Sequence, residues 1–394
     1  MDILSCRPFE KYERAIENKR GKNFSQNIFY VAFAVLLLLY GALFSLTPEF
    51  PEKVEGILSK MRYAVCAVFI FRGTLLCART LRQLLVMGGV LAFCFVTSLK
   101  GHDATLFISF CTIYAAKGAS FKTAGKITFF GSAAVITVVL LLGMLGILPD
   151  YELYRTDDVV RYSLGFAHPN AFGLWLMSAC FAFCSGFKDK LKLQHFALML
   201  LAGGAMFYFT NSRASFLCIA AAASAVPLCA ALLRKERTGR AFSRICAACI
   251  VLMCAFSIWS ALFYNDSLPE LMLKLNKAFS NRMLLSKEAY KLYGTSFFGS
   301  GAFAEDPSVV VDNLYTRIFI TSGTPAMLLF TYAQVVSCLN AAKKKLYGGC
   351  LLSFLWAAYS TMEIFGYVAV LNVTLLLFSA SDTDRCFEKN QPDR

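Results

Sequence analysis

The run Arg161-Tyr162-Ser163-Leu164-Gly165-Phe166-Ala167-His168-Pro169-Asn170-Ala171-Phe172-Gly173 decides how the rest of the chain is read. It is wedged between two long apolar segments and holds one of the three histidines in 394 residues. A polar, proline-broken run at the mouth of a membrane helix is costly unless it is buried in protein or faces a water-filled cavity. Pro169 is at home in a first helical turn, so the run reads as the polar head of a membrane helix and as a candidate site.

Outward from that run, the chain is 57% hydrophobic and only 16% charged, too apolar for a soluble domain of this length. Apolar runs of about 17 to 22 residues recur and match what a hydrocarbon core of about 30 Å requires of a helix. The expected fold is all-α: a polytopic integral membrane protein with about twelve transmembrane helices. The spans fall near 27–46, 63–78, 84–99, 105–116, 127–148, 168–186, 196–209, 214–233, 245–263, 314–339, 347–362 and 367–380. Arg72 and Lys117 are expected to snorkel from their spans to the interface.

A formal net charge of +14 invites a nucleic-acid partner, but the basic residues sit in short clusters between apolar runs. That is the positive-inside pattern, and it excludes nucleic acid as the natural partner. With a cytoplasmic N-terminus, Arg79/Arg82, Lys117/Lys122/Lys126, Lys188/Lys190/Lys192, Arg234/Lys235/Arg237/Arg240/Arg244 and Lys343/Lys344/Lys345 all fall inside. Glu49, Glu52, Glu55, Asp150, Glu152, Asp157, Asp158, Asp266, Glu305 and Asp306 fall outside. The expected organisation is a cytoplasmic segment 1–26, nine helices over 27–263, a large extracytoplasmic loop 264–311, three helices over 312–381 and a cytoplasmic tail 382–394. The first span has no cleavable signal architecture before it and is expected to stay as an anchor.

Fifteen cysteines lie in apolar runs or on basic flanks, where they read as small hydrophobes at helix interfaces rather than a disulfide framework. Cys246 and Cys249 form a CxxC without a second pair or a nearby histidine, so no metal is expected. No nucleotide-binding loop appears, and no cofactor is expected.

The topology brings four sequence-distant features to the outer face: the opening run with Arg161, His168 and Asn170; Thr210-Asn211-Ser212-Arg213; the loop with Asn281-Arg282 and Phe298-Gly299-Ser300-Gly301; and Asp312-Asn313-Leu314-Tyr315 with Arg317. Arginines at outer helix ends are not where the positive-inside rule puts them, so they need an anionic partner. A guanidinium matches phosphate oxygens bidentately and keeps its charge near a low-dielectric surface. Arg161, Arg213 and Arg282 are therefore candidates to clamp a lipid diphosphate; the alternative for each is a headgroup or a nearby carboxylate. His168 is a candidate proton acceptor for an attacking hydroxyl, or else a helix cap. Asn170 is placed to orient the imidazole or hold a sugar hydroxyl. Ser212, Asp312, Asn313 and Tyr315 are candidate substrate contacts, with an N-cap as the alternative for Asp312 and Asn313. Glu363 reads as a buried acid partnering an arginine or as a turn residue. The glycines of Phe298-Gly299-Ser300-Gly301 read as a loop bend before a phosphate cradle. His102 beside Asp103, and His195, have no company that suggests chemistry.

Taken together, Gly165-Phe166-Ala167-His168-Pro169-Asn170-Ala171-Phe172-Gly173, Thr210-Asn211-Ser212-Arg213, Asn281-Arg282, Phe298-Gly299-Ser300-Gly301 and Val311-Asp312-Asn313-Leu314-Tyr315 resemble the Wzy-type polysaccharide polymerases of the O-antigen polymerase and ligase superfamily. The resemblance covers roughly residues 150 to 330, and Glu363 with Asn372 extends it weakly. It implies a GT-C-like, metal-independent membrane glycosyltransferase acting outside the cytoplasmic membrane of a bacterium on undecaprenyl-diphosphate-linked oligosaccharides. It further implies that Arg213 and Arg282 bind the donor diphosphate with Arg161 as auxiliary, that His168 is base or acceptor-positioning residue, and that residues 266–310 cover the sugar groove. A flippase and a chain-length regulator would be its partners, besides the bilayer. A ligase of the same superfamily is the nearest alternative. A transporter or flippase of lipid-linked sugars is the alternative of another class, and it would favour charges at the membrane midplane.

Overall fold

The computed structural model describes residues 19–46, 52–77, 79–156, 159–233, 235–265, 267, 269–301 and 310–379. Glu49, Asp157, Asp158, Arg234, Asp266, Glu305 and Asp306, used above to orient the chain, lie outside the described residues, as does most of the Gly301–Val310 stretch. The first half holds α1 (Lys19–Leu46), α2 (Glu52–Leu75), α3 (Leu81–Gly101), α4 (Thr105–Ala115), α5 (Phe121–Met144) and, after a short hairpin, α6 (Pro169–Gly186). The second holds α7 (Leu193–Thr210), α8 (Arg213–Leu232), α9 (Glu236–Phe263), α10 (Glu270–Ala278), α11 (Arg282–Tyr293), α12 (Leu314–Thr321), α13 (Thr324–Lys343) and α14 (Tyr347–Ser360). Seven of these, α1, α3, α5, α7, α8, α9 and α13, are long and apolar enough to cross a membrane, so the chain is a multi-pass membrane-embedded protein.

Of the twelve expected spans, those at 63–78, 105–116, 168–186, 347–362 and 367–380 have no counterpart among the seven, and two of these differ for one physical reason. The run 105–116 forms only the 11-residue α4, and every one of those residues is buried. The run 367–380 is not an α-helix: it makes two 3-10 turns, Ile364–Tyr367 and Val373–Phe378, joined by extended and turn backbone. Both runs are apolar because protein surrounds them, and hydropathy does not distinguish burial in protein from burial in lipid. Non-helical backbone at this depth needs partners from its neighbours. Thr128 on α5 donates to the Val370 carbonyl at 2.8 Å, Ser178 on α6 to Leu371 at 3.0 Å and Ser337 on α13 to Leu375 at 3.3 Å. Asn340 on α13 donates to Leu377 at 3.0 Å, and Ser109 on α4 accepts from the Ala369 amide at 3.2 Å. Four helices thus supply, side chain by side chain, what a helical ladder would have supplied.

Several lysines of the expected inner clusters come together. Lys122 pairs with Asp189 at 2.6 Å, Lys117 donates to Gln83, and Lys188 and Lys345 line one recess beside Phe121. Arg72 does not snorkel from α2 but is buried, bonding the Ser25 carbonyl at 2.7 Å and the Lys117 carbonyl at 3.3 Å over the Phe29 ring. Arg79 likewise donates to the carbonyls of Gly73 and Tyr114. Lys117, Gly73 and Tyr114 lie at or just past helix C-termini, where carbonyls are unsatisfied and partly negative and hold a guanidinium; Ser25 lies early in α1 and adds a further carbonyl. The thirteen cysteines among the described residues are free thiols, twelve of them buried, as expected of interface hydrophobes.

The expected loop 149–167 folds into an antiparallel hairpin, β1 (Glu152–Thr156) with β2 (Val159–Tyr162), in which Leu153 pairs with Arg161. Asp150 closes its base by accepting from the Leu164 amide at 2.7 Å. Gly165, at φ +84°, then packs so close to Val139 and Gly143 of α5 that a Cβ there would meet the Val139 carbonyl. That approach turns the chain directly into α6.

Candidate functional site

The polar end of the bundle is built around Arg282. Its position follows from a local device: Ser280 and Asn281 adopt left-handed backbone, reversing the chain between α10 and α11. Asn276 then accepts from the Met283 and Leu284 amides at 3.1 and 3.3 Å, satisfying free N–H groups at the start of α11. The Lys287 ammonium ties the same helix to the Leu262 carbonyl of α9. Arg282 is thereby held at the first turn of α11, where its positive charge opposes the helix dipole. Two carboxyl groups flank it: its Nη2 lies 3.0 Å from Glu363 Oε1 and 3.1 Å from Asp312 Oδ2. Arg282 Nε is buried without a hydrogen-bond partner among the described residues, a donor left over for something else.

Glu363 sits in the break between α14 and the first 3-10 turn, 5% exposed. Its Oε1 also accepts from Asn170 Nδ2 at 2.8 Å, and Asn170 Oδ1 accepts from Arg161. Arg161 is buried in turn, with Nε donating to the Thr210 carbonyl at the end of α7 at 2.8 Å. The result is one continuous chain of contacts, Arg161–Asn170–Glu363–Arg282–Asp312, drawn from a strand, α6, the α14 break, α11 and the approach to α12. Burial pushes the Glu363 carboxyl up to about 8; Arg282 opposes that rise, Asp312 adds to it, and Arg161 and Asn170 oppose it. Near neutral pH the carboxyl is therefore protonated, which leaves the network with a positive balance at Arg282.

His168 is the N-cap of α6, with its Nδ1 accepting from the Asn170 amide at 3.0 Å. The side chain is exposed at the surface, with protein packed against part of its ring. That partial burial, with the charge of Arg161, holds the imidazole below its usual range, against the opposing pull of Asp312. A neutral imidazole whose Nδ1 is an acceptor carries its proton on Nε2. In this arrangement His168 offers substrate a donor and has no lone pair with which to remove a proton. The cap is thus the role its geometry supports, and Asn170 orients the ring through its amide while its side chain serves Glu363. Asp312, 32% exposed at its side chain, is the carboxylate that a substrate hydroxyl can reach.

The remaining sequence candidates separate cleanly. Asn313 is the N-cap of α12, accepting from the Thr316 amide at 3.2 Å and donating to Ser257 at 2.9 Å, so the cap alternative holds for it. Tyr315 is fully buried with its hydroxyl on Gln334 at 2.8 Å and is not brought to the network. Ser212 is buried against Ser215 and Gly173, where α6 and α8 meet, and is not brought to it either. Arg213 begins α8, exposed, with Nε 3.3 Å from Asn211 Oδ1. Gly299 takes a positive φ, and the Ser300 amide bonds the Ile320 carbonyl at 2.9 Å, so this segment is the bend expected and not a phosphate cradle. No group of three or more His, Cys, Asp or Glu suited to a metal occurs among the described residues.

Beside Arg282 opens a cavity of about 400 Å³. Arg282, Asn313 and Ser260 form its polar end; Leu252, Met253, Phe256, Phe279, Met283 and Met362 supply apolar walls. Leu252 is 65% exposed on the flank of α9, so the cavity opens sideways, toward the region a bilayer would occupy. Sequence reasoning missed this wall because nothing in the order of residues along α9 marks one face as lining a cavity. No protein-family model, curated protein or solved structure matches this chain.

Proposed function

We propose that the chain is a membrane glycosyltransferase that polymerises undecaprenyl-diphosphate-linked oligosaccharides into a surface polysaccharide on the outer face of a bacterial cytoplasmic membrane. The observation that carries this is the buried guanidinium of Arg282, with one unpartnered donor, at the head of a laterally open apolar cavity. A diphosphate carrying a polyisoprenyl tail fits both halves: the anion at Arg282 and the tail along the flank of α9. GT-C-like architecture, cytoplasmic termini and the Wzy resemblance belong to the same proposal.

In the reaction, a hydroxyl of the acceptor sugar attacks the anomeric carbon of the donor chain. The new C–O bond forms as the bond to the lipid diphosphate breaks. The negative charge that develops on the leaving diphosphate is met by Arg282, preorganised by Asp312 and Glu363, so that little reorganisation is needed at the moment of reaction. Asp312 takes the proton of the attacking hydroxyl. His168 donates from Nε2 to a sugar oxygen and keeps the head of α6 in place. Arg161 and Asn170 act as positioning residues behind Glu363.

Purified protein incubated with its lipid-diphosphate repeat unit tests this directly. A ladder of repeat multiples is the expected product. A single transfer to a foreign acceptor would assign the chain to ligases instead, and unchanged substrate on the opposite leaflet would make it a flippase.

A further inference from the structure

Another cavity, of about 490 Å³, is lined by different residues of two segments that also line the first: Arg317 where the first has Asn313, and Ile364, Phe365 and Tyr367 where the first has Thr361 and Met362. We propose that it binds an uncharged saccharide, the acceptor sugar of the transfer reaction. Its floor is Asp103, which the local sequence left without company. In the fold Asp103 Oδ2 accepts from the Tyr367 hydroxyl at 2.6 Å and faces Arg317 Nε at 3.8 Å, while Oδ1 accepts from the Thr105 amide at 2.9 Å. Burial works against ionisation of Asp103, yet Arg317, Tyr367 and Thr105 together hold its carboxyl below the usual range. Phe365 forms an apolar wall, its ring edge-on to Phe44 at 5.1 Å between centroids. Glu55 and His102 stand exposed at the rim.

The charge balance selects the ligand. Among the described residues that line it, Glu55 and Asp103 set two carboxylates against the one guanidinium of Arg317, which disfavours a phosphate or other anion. Arg317, ion-paired at the centre, equally excludes a divalent cation. What remains is a neutral molecule that both donates and accepts hydrogen bonds and has an apolar face. A sugar ring meets this description: its hydroxyls donate to the carboxylates and to the phenol oxygen of Tyr367 and accept from the guanidinium of Arg317, and its C–H face lies against Phe365.

The two segments common to both cavities place this ligand near the first site. Asn313 caps α12 at the first cavity, and Arg317 lies one helical turn on, a rise of about 6 Å. Along the second segment, Glu363 serves the first site while Phe365 and Tyr367 serve the second. A saccharide seated on Asp103 is therefore within reach of a donor whose diphosphate is held by Arg282. The acceptor role rests on the transferase reading; the binding of saccharide does not.

The test is a titration of the purified full chain in lipid nanodiscs with the methyl glycosides of glucose, galactose and N-acetylglucosamine, and separately with undecaprenyl diphosphate. At least one glycoside is expected to bind saturably, with affinity lowered about tenfold or more in Arg317→Gln and Tyr367→Phe. Arg282→Ala is expected to leave glycoside binding unchanged and to weaken undecaprenyl diphosphate alone. Glu55→Trp, on the exposed rim, closes the mouth without touching the packed floor; it is expected to lose glycoside binding with an unaltered thermal transition. Absence of saturable glycoside binding to the wild type, or binding indifferent to Glu55→Trp, overturns the proposal. A missing polymer ladder with intact glycoside binding tells against the transferase reading and not against this ligand.

Discussion

Nη2 of Arg282 lies 3.0 Å from Oε1 of Glu363, across 81 residues of chain. The same nitrogen reaches Asp312 at 3.1 Å, so one guanidinium gathers three segments that meet only in the folded bundle. Replacing Arg282 by Ala is expected to lower chain growth by at least about 100-fold, the usual scale for losing a preorganised charge-stabilising group. Lysine is not a substitute, because a compact ammonium lacks the planar fork that meets Glu363 and Asp312 and still presents a donor to phosphate. Polymer ladders from purified Arg282→Ala and Arg282→Lys check this, with membrane insertion as the control; wild-type ladders from either would refute the clamp.

Glu363 is expected to make diphosphate binding pH-dependent. With its carboxyl raised to about 8 by burial, it is neutral below that pH and leaves Arg282 free to attract an anion. Above it, the carboxylate forms and competes with the ligand. The affinity for undecaprenyl diphosphate is expected to fall as pH rises from about 7.5 to about 9.5, a window above the usual second ionisation of a phosphate at about 6. Glu363→Gln is expected to flatten that fall. A titration of equal slope in wild type and variant would show that another group is responsible.

His168 separates a cap from a base. His168→Ala removes the side-chain acceptor at the head of α6 and is expected to cost about 1 kcal/mol of stability. His168→Asn restores a capping acceptor and is expected to restore the thermal midpoint, with activity within about tenfold of wild type, since a positioned general base is worth about 100-fold or more. Activity abolished in His168→Asn with the midpoint intact would return the base role to this residue.

Arg213 is exposed at the start of α8 and is not brought to the Arg161–Asp312 network. Arg213→Ala is expected to raise KM with kcat nearly unchanged, because a solvated charge contributes little beyond encounter. Steady-state kinetics on defined lipid-linked repeat units distinguish the two parameters. A collapse of kcat would place Arg213 at the reacting centre.

Gly173 lets α6 approach α8 so closely that an added Cβ would meet the hydroxyls of Ser212 and Ser215. Gly173→Ala is expected to destabilise the bundle by about 1 to 3 kcal/mol, the scale of overpacking in a filled interior. Because α6 carries Asn170, polymer yield is expected to fall with it. Thermal unfolding in detergent alongside the ladder assay measures both.

Much of this site was legible in the residues. The run from Arg161 to Gly173 announced a helix head by its Pro169, and the arginine at 282 announced an anionic partner by standing where a basic residue is unusual. Glu363 was readable as an acid in need of an arginine, and Arg282 is that arginine. The roles of Arg161 and Tyr315 were not readable. Whether a guanidinium faces a ligand or a helix-end carbonyl, and whether a phenol faces a cavity or Gln334, depends on which helices pack together, and local sequence carries no record of that. Asp103 was passed over for the same reason: its partners lie 214 and 264 positions away, at Arg317 and Tyr367.

The amino-acid order by itself determined that this chain lives in a membrane, that basic clusters stand between its apolar runs, and that polar groups interrupt its helices at particular places. Those properties follow from transfer free energy and backbone hydrogen bonding, which act on each segment separately. Only the tertiary structure decided that the last apolar run is not a helix, that Arg161 serves Thr210, and that Arg282, Glu363 and Asp312 share one contact. These are outcomes of packing, in which a side chain's partner is set by helices hundreds of residues apart, and a buried charge keeps whichever partner the fold brings within about 3 Å.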